Sequence, residues 1–246
     1  MQELGYSFSL TTFSPTGQLW QIQHALAATN RGRASIGIQG ANGVVLLCQR
    51  KTDESSEILV DQSTVKLIEN IAPHIGITYS GLQADFRPII AAARENAVLY
   101  RATYKEEIPL RLLAKNLAKI FQEKTQEGGV RPFGCSLLLA GYDIIDDGTT
   151  KKIPALYQID PSGSYFKLKA WANGKNNEQT RQQLEKRTDL RTASIDDAVV
   201  AGLGLMRENC DVELGAQDIV VGVLGEDMKF QVLSKQVVEG YFSGVE

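Results

Sequence analysis

Histidine and cysteine are scarce in this sequence, which argues against several kinds of self-contained active site. The 246 residues include two histidines, His24 and His74, and neither lies near a cluster of carboxylates or cysteines in the chain. Because zinc and similar metals are usually bound by such clusters, we expect no metal centre. The three cysteines are too few and too scattered for a disulfide framework. The sequence also lacks a G-x-S-x-G motif and a complete phosphate-binding loop, so nothing in it predicts a cofactor.

A strong excess of one charge and a long apolar run are also missing. The formal net charge of −3 and the isoelectric point near 5.6 argue against nucleic-acid binding, which needs a basic face. No stretch approaches the roughly 18 consecutive apolar residues of a membrane span. The opening MQELGYSFSL lacks the basic flank and long apolar centre of a signal peptide. We therefore expect an intracellular protein that binds neither nucleic acid nor membranes.

The sequence does contain short apolar segments typical of paired strands, followed by two helices. The segments SIGIQ and GVVLLC flank Asn42-Gly43, a dipeptide that favours a tight hairpin. A second strand pair, TVKLIENI and IGITYS, comes next. Apolar residues then recur every three to four positions over 82–104, which predicts a helix, and Pro88 predicts a kink or a late start. A second helix is predicted to open at Pro109 and to stop at Gly128.

The second half of the chain repeats this grouping and thereby predicts the fold class. GCSLLLAGYD, IPALYQID and SYFKLKA are predicted strands, and helices are predicted near NEQTRQQLEK and from Ser194 to about Asn209. Ser194 and Asp197 resemble a capping box, and a hairpin around Gly225 closes the chain. Because strands come in hairpin groups and helices in pairs, strict alternation of strand and helix is excluded. We expect one α+β domain over 1–246, a four-layer αββα sandwich.

Three stretches resemble the α-type subunits of the 20S proteasome core particle. They are GYSFSLTTFSPTGQLWQIQHALAA, GVRPFGCSLLLAGYD and QIDPSGSYFKLKAWANGKNN, and the similarity extends from Gly5 to about Leu233. The opening residues and the RPFG motif most resemble the members at the second position of the seven-membered α ring. The resemblance implies the sandwich fold of N-terminal-nucleophile hydrolases, in agreement with the order of elements. It also implies a gate tail and turn over 1–17, a first helix over 18–30 and the sandwich over 34–246.

The same family contains catalytic and non-catalytic members, and the residues here indicate a non-catalytic one. Active members use a threonine freed by self-cleavage at the start of the first strand, with its own amine as the base. That position is Ser35 in this chain, Gln49 stands where an acidic partner is expected, and Lys66 alone resembles the active-site lysine. We therefore expect no catalytic residue and a structural and gating role in ubiquitin-dependent protein degradation. The alternative is an active N-terminal-nucleophile amidohydrolase that processes itself before Ser35.

The resemblance also implies that the tail and the first helix form the gate and the ring contacts. The tail of α-type subunits lies over the axial pore, and serine, threonine and glycine suit a segment that is ordered and released at little cost. Trp20 is predicted to contact a neighbour in the ring, and the alternative is that it covers its own core. His24 replaces the usual helix tyrosine and Gln23 the usual glutamate, which puts a contribution to the open-gate cluster in doubt. The predicted gate and ring-contact residues are Tyr6, Ser7, Phe8, Pro15, Trp20, Gln23 and His24.

A docking pocket for activator tails is the second site that the resemblance implies. Its family residues correspond to Gly32, Lys66 and Gly81. A lysine can pair with a terminal carboxylate, and glycines let a peptide backbone approach closely. The alternative is that Lys66 is a solvated strand-end lysine and Gly81 a helix cap. The implied partners are neighbouring α subunits, β-ring subunits and a regulatory ATPase particle or other activators, and we expect the protein in the cytoplasm and nucleus.

Overall fold

Ten strands in the described part of the chain form two antiparallel sheets of five strands each. The structure is a computed structural model that describes residues 13–50, 61, 64–145, 151–211 and 213–244. The first sheet contains β1 (Ser35–Gln39), β2 (Val44–Gln49), β8 (Ala170–Asn173), β9 (Ile219–Leu224) and β10 (Phe230–Val232). The second contains β3 (Ile68–Ala72), β4 (Ile75–Gly81), β5 (Cys135–Ile145), β6 (Lys151–Ile159) and β7 (Tyr165–Leu168). The strand orders are β10-β9-β2-β1-β8 and β3-β4-β5-β6-β7.

Helices cover the outer faces of both sheets. They are α1 (Trp20–Asn30), α2 (Gln83–Tyr104), α3 (Leu110–Gln126), α4 (Asn177–Lys186), α5 (Ile195–Asn209) and α6 (Lys235–Phe242). Helices α2 and α3 pack on the second sheet, α5 packs on the first with α4 and α6 beside it, and α1 lies against β4 and β5. The two sheets face each other through β1 and β2 on one side and β4, β5 and β6 on the other. This arrangement is the four-layer αββα sandwich, so the predicted fold class is confirmed.

Strand β2 is almost entirely apolar in sequence, VVLLCQ, because both of its faces are buried. Its side chains alternate between two buried environments, because successive residues of a strand point to opposite faces. Leu46 and Cys48 belong to the core between the sheets, which also contains the buried faces of α2 and α3. Val45 and Leu47 belong to the second core, between the first sheet and α5. A polar residue at any of these positions would be buried, so no amphipathic pattern is possible here.

Several local predictions are confirmed at the level of individual hydrogen bonds. In the hairpin at Asn42-Gly43, Gln39 pairs with Val44, and the Gly40 N–H donates to the Gly43 carbonyl at 3.0 Å. At the start of α5, the Asp197 N–H donates to the Ser194 hydroxyl oxygen at 3.2 Å, as an N-cap requires. The helix predicted from Pro109 begins at Leu110, with Pro109 as its N-cap.

Three local predictions are wrong or incomplete. Helix α2 does not start late: it begins at Gln83 and includes Pro88, because burial of Phe86 and Ile89 on its core face outweighs one lost backbone hydrogen bond. The alternative, a kink at Pro88, stays a prediction. The predicted strand SYFKLKA is split, since the chain leaves the second sheet after β7 and joins the first sheet at β8. The closing hairpin is followed by α6, which the sequence pattern did not reveal and which is anchored by the buried Val238.

Candidate functional site

The position of the missing nucleophile is occupied by a serine that solvent does not reach. Ser35 is the first residue of β1 and is paired with Cys48 of β2 and Asn173 of β8. Its exposed fraction is 0%, and its hydroxyl oxygen has no hydrogen-bond partner among the described residues. A nucleophile needs a base within hydrogen-bond reach and space for the substrate. Ser35 has neither in this structure.

Gln49 holds the backbone that precedes Ser35. The Gln49 N–H donates to the Ala34 carbonyl at 2.9 Å, and the Ala34 N–H donates to the Gln49 side-chain oxygen at 3.4 Å. The Gln49 side-chain amide also donates to the Cys210 sulfur at 3.1 Å. An amide cannot serve as the acidic partner of a catalytic base at any pH. Gln49, which stands where an acidic partner was expected, therefore has a structural role: it holds the backbone that precedes β1.

Two buried cysteines do not supply an alternative nucleophile. Burial raises the pKa of Cys48 to about 11, and burial also raises the pKa of Cys135 far above its usual value. Because the thiolate is the reactive form, both thiols stay protonated and inert near neutral pH. Both cysteines belong to the core between the sheets, Cys48 in β2 and Cys135 in β5.

Lys66 is exposed. It precedes the first residue of β3 by two positions and lines a surface cleft of about 300 Å³ together with Arg50 and Glu69. The Glu69 carboxylate is already paired with Arg94 at 2.8 Å. Arg50, which follows β2, was not singled out by sequence reasoning. Its place beside Lys66 depends on the packing of one sheet on the other, for which the sequence carries no local signal.

Gly32 and Gly81 are brought into direct backbone contact. A Cβ atom on Gly32 would lie 2.1 Å from the Gly81 nitrogen, and one on Gly81 would lie 2.2 Å from the Gly134 carbonyl oxygen. Gly81 also has a φ of +113°, which side-chain-bearing residues rarely adopt. The chain after α1, the end of β4 and the loop before β5 therefore pack as three adjoining backbones. Both predicted pocket glycines are required by this packing, whatever they bind.

The register of the β3–β4 hairpin relates Lys66 to these glycines. Ile68 pairs with Thr78, so Lys66, two residues earlier, extends toward Ser80 and the end of β4. The Ser80 hydroxyl donates to the Arg33 carbonyl, which ties the same end of β4 to the chain after α1. The three predicted pocket residues thus belong to one end of the sandwich. Their role in binding an activator tail stays a prediction.

The turn before α1 has the geometry that its sequence predicts. The Gly17 N–H donates to the Ser14 carbonyl at 2.9 Å, with Pro15 at the second turn position and a φ of +77° at Gly17. The Gln18 N–H donates to the Ser14 hydroxyl oxygen at 3.0 Å, and Ser14 is buried. The turn is therefore held from inside by Ser14, while the Pro15 ring is exposed.

Helix α1 presents a polar surface and a half-buried tryptophan. Ala25 is buried, Trp20 is half-buried, and Gln23 and His24 are exposed. A contact of Trp20 with a neighbour in the ring stays a prediction. The remaining gate residues of the prediction, Tyr6, Ser7 and Phe8, lie outside the described residues.

The described part of the chain contains neither a metal-binding cluster nor a membrane-spanning helix. No group of three or more His, Cys, Asp and Glu side chains there could hold a metal ion. His74 instead makes a 2.9 Å hydrogen bond through Nε2 with the Ile108 carbonyl and lies 3.8 Å from Glu107. Among the described helices, none combines the length and the apolar character needed to cross a bilayer.

Matches to known proteins extend along the whole sequence. The family model for proteasome subunits matches residues 29–224, and the model for the N-terminal signature of A-type proteasome subunits matches residues 6–28. The alpha type-2 proteasome subunit of Oryza sativa subsp. japonica and the alpha type-2-A proteasome subunit of Arabidopsis thaliana are each 44% identical over 246 residues, 100% of both chains. The alpha type-2 proteasome subunit of Dictyostelium discoideum is 44% identical over 238 residues, 96% of this chain and 97% of its own.

Proposed function

The chain belongs to the proteasome subunit family, and on that premise we propose that it is a non-catalytic structural and gating subunit of the α ring of the 20S core particle. The observation that carries the non-catalytic assignment is the burial of Ser35 inside β1, with the preceding residue clamped by Gln49. A catalytic member would need a free amine and an open cleft at that position. The alternative of self-processing before Ser35 would release α1, which packs on β4 and β5.

Control of substrate entry is the gating part of the proposal. The N-terminal signature covers the tail, the turn and most of α1, and 44% identity extends over the whole chain to relatives named alpha type-2. In the proposal, residues 1–17 carry the tail that lies over the axial pore, with Tyr6, Ser7, Phe8 and Pro15 contributing to the gate. The turn held by Ser14 supports this role, because a fixed turn defines the direction in which the tail leaves α1.

Docking of regulatory particles is the second part of the proposal. The chain's assembly with other core-particle subunits follows from its family, and the finer statement is that Gly32, Lys66 and Gly81 receive an activator's C-terminal tail. The exposed Lys66 ammonium supports this, since a carboxylate could pair with it without displacing an existing partner among the described ion pairs. We further propose that the chain sits at the second position of a seven-membered ring in the cytoplasm and nucleus.

Native mass spectrometry of the particle that carries this chain tests the proposed function. The expected result is a complex that contains this chain at full length together with other α and β subunits. Loss of the first 34 residues from the chain's intact mass, with peptide hydrolysis by the isolated chain, would overturn the proposal in favour of self-processing. A full-length chain that never enters a core particle would overturn it as well.

A further inference from the structure

A cleft lies between α1 and the corner where β7 leads into β8. It has a volume of about 650 Å³ and is lined by Gln23 and Leu26 of α1 on one side and by Phe166, Trp171 and Asn173 on the other. A smaller cleft of about 190 Å³ continues past the same corner. Trp171 and Arg181 line both, and the two adjoining cavities are together called the corner cleft.

Arg181 lines both parts of the corner cleft and forms no ion pair among the described residues. Its Nε donates to the Ala172 carbonyl at 2.7 Å, and its guanidinium lies 3.9 Å from the centroid of the Trp171 ring. No carboxylate of the described residues forms an ion pair with it. Burial lowers the pKa of Arg181 by more than the charge of the Glu178 carboxylate raises it. A half-buried cation in this position gains from an anion supplied from outside the chain.

The other charged groups of the cleft have partners or lie exposed at its rim. Lys167 pairs with Asp143 at 3.0 Å, and Arg187 pairs with Asp189 at 3.0 Å. The Asp160 carboxylate accepts hydrogen bonds from the backbone N–H groups of Ser162 and Ser164, which close a local turn. Lys169 and Glu185 are exposed to solvent. Arg181 is therefore the half-buried charge in the cleft that is left for a ligand.

Two side-chain amides that line the cleft each have one buried atom without a hydrogen-bond partner among the described residues. Asn173 is 3% exposed, and its Nδ2 has no hydrogen-bond partner among the described residues. Its orientation is fixed because Trp171 Nε1–H donates to Asn173 Oδ1 at 3.0 Å. On the other side of the corner, the buried Gln39 Oε1 lacks a donor. Both atoms are buried from solvent, so the half-buried Arg181 guanidinium is the group that a ligand in the cleft would meet.

We propose that the corner cleft receives an extended segment of a neighbouring core-particle subunit, which places an Asp or Glu carboxylate against Arg181. Charge complementarity selects an acidic segment, and the cleft's wall on α1 includes Gln23, a predicted ring-contact residue. Phe166, 57% exposed at the rim, offers an aromatic surface for the same segment. The inference rests on the proposed assembly into the core particle.

A photo-crosslinker placed in the cleft identifies the occupant. In the assembled particle, p-benzoylphenylalanine replaces Phe166, and the crosslinked peptide is sequenced by mass spectrometry. We expect a peptide of a neighbouring subunit with Asp or Glu within the crosslinked segment. The same probe at Tyr104, an exposed residue of α2, is the control and should give a different peptide or none. A crosslink from Phe166 to this chain itself, or to no subunit, overturns the inference.

Matched substitutions of Arg181 test the charge. Arg181→Gln should speed release of the chain from the particle by about tenfold or more and should reduce the dependence of release on salt. Arg181→Lys keeps the charge and should keep that salt dependence. Equal salt dependence in the Gln variant and the wild type would overturn the role of the ion pair. The two proposals fail differently: a chain absent from the particle contradicts the proposed function, whereas an incorporated chain without the crosslink contradicts the corner cleft alone.

Discussion

Asp85 and Arg131 form a two-pronged ion pair that joins the start of α2 to the loop before β5. The guanidinium donates to the two carboxylate oxygens at 2.6 and 2.8 Å, and the Gly134 N–H donates to the same carboxylate at 2.8 Å. Gly134 also contacts Gly81 through its carbonyl oxygen. The RPFG motif at 131–134, one of the stretches that resemble the family, is thus part of the scaffold behind the predicted activator pocket.

Asp85→Asn should lower the free energy of unfolding of the full chain at neutral pH. The carboxylate is 10% exposed and accepts three charge-assisted bonds, so we expect a loss of about 1.5–3 kcal/mol. Chemical denaturation of the wild type and the variant measures it. Arg131→Lys is the matched change on the other side and should lose part of this, because a lysine cannot make the two-pronged contact.

The same pair predicts a pH dependence. Burial alone would raise the pKa of Asp85, but the hydrogen bonds from Arg131 and Gly134 outweigh it and hold the pKa below its usual value. A depressed carboxyl pKa stabilises the fold above the unfolded pKa, about 3.9, and this stabilisation is lost as pH falls below it. The difference between the wild type and Asp85→Asn should therefore be constant from pH 7 to about 5 and shrink below about pH 4. A difference that stays the same at low pH would contradict the assignment.

Gly81→Ala should destabilise the chain strongly, before any effect on docking can be measured. The new Cβ would lie 2.2 Å from the Gly134 carbonyl oxygen, at a φ of +113°. Backbone strain of this kind costs about 1–3 kcal/mol, and the steric clash adds to it. Soluble yield and the denaturation midpoint report the loss.

Gly128→Ala is the control for that experiment. No atom lies within 4 Å of its added Cβ, so the change should stay within about 0.5 kcal/mol. Similar stability of the two variants would show that the close backbone contact at Gly81 can relax. If Gly81→Ala is strongly destabilising, as expected, docking must be tested at another residue of the predicted pocket. Lys66 is suitable, because it is exposed and can be replaced without damage to the fold.

The fold could be predicted from the sequence largely because its elements are locally encoded. The Asn42-Gly43 hairpin and the Ser194 cap depend on residues a few positions apart, and both were predicted. The path from β7 to β8 was not, because one apolar-polar pattern runs through Lys169 while the chain changes sheets. Helix α6 was missed since it is short and buries one large face residue, Val238, against distant parts of the chain.

The sites were less predictable, because their contacts join residues far apart in the sequence. Gly32 and Gly81 were proposed as pocket residues on resemblance, and their mutual contact could not be read from either local segment. Arg50 reaches the Lys66 cleft from the other sheet. Arg181 drew no attention, because nothing in its local segment shows that it is half-buried beside Trp171 and forms no ion pair among the described residues. A sequence shows which charges a chain has, but not which of them lack a partner.

Ser35→Ala should leave stability unchanged or slightly higher. The hydroxyl is fully buried and has no hydrogen-bond partner among the described residues, so its removal costs no bond and relieves an unmet polar group. We expect a change within about 1 kcal/mol by chemical denaturation and full-length intact mass in both forms. Full-length mass in the variant alone would instead indicate self-processing by Ser35.

Ser80→Ala is the matched control, because Ser80 is equally buried but its hydroxyl donates to the Arg33 carbonyl. The same chemical change should there cost about 1–3 kcal/mol, since a buried acceptor loses its donor. Equal effects of the two substitutions would mean that Ser35 is hydrogen-bonded in solution.

Deletion of residues 2–12 should leave the fold and the ring intact and raise the basal peptidase activity of the particle. The deleted sequence is mostly polar, and the turn behind it is held by Ser14 independently of the tail. A Gly/Ser segment of the same length is the control that separates bulk over the pore from a specific ordered tail. Loss of ring assembly would show that the tail is structural, and unchanged activity would show that this subunit's tail does not block the pore.

Lys66→Ala should weaken the docking of an activator tail while leaving the particle intact. A charge-assisted hydrogen bond contributes about 1.5–3 kcal/mol, which is roughly 10- to 150-fold in the affinity of one isolated pocket. Several pockets in one ring would mask part of this through avidity, so a single tail peptide titrated against the particle is the better probe. Lys66→Arg should recover part of the affinity, because the charge remains but its geometry changes.

The control is Lys115→Ala, which removes an exposed lysine from α3, on the outer face of the second sheet. Both alanine variants should unfold within about 0.5 kcal/mol of the wild type, as exposed substitutions do. Titration with the tail peptide should then distinguish the two variants: Lys66→Ala should bind the peptide more weakly than the wild type, and Lys115→Ala should bind it equally well. Arg50 lines the same cleft as Lys66, so residual binding in Lys66→Ala should be salt-dependent and should fall further when Arg50→Gln is added. Identical titration curves for the wild type and Lys66→Ala would mean that the activator tail does not use this lysine.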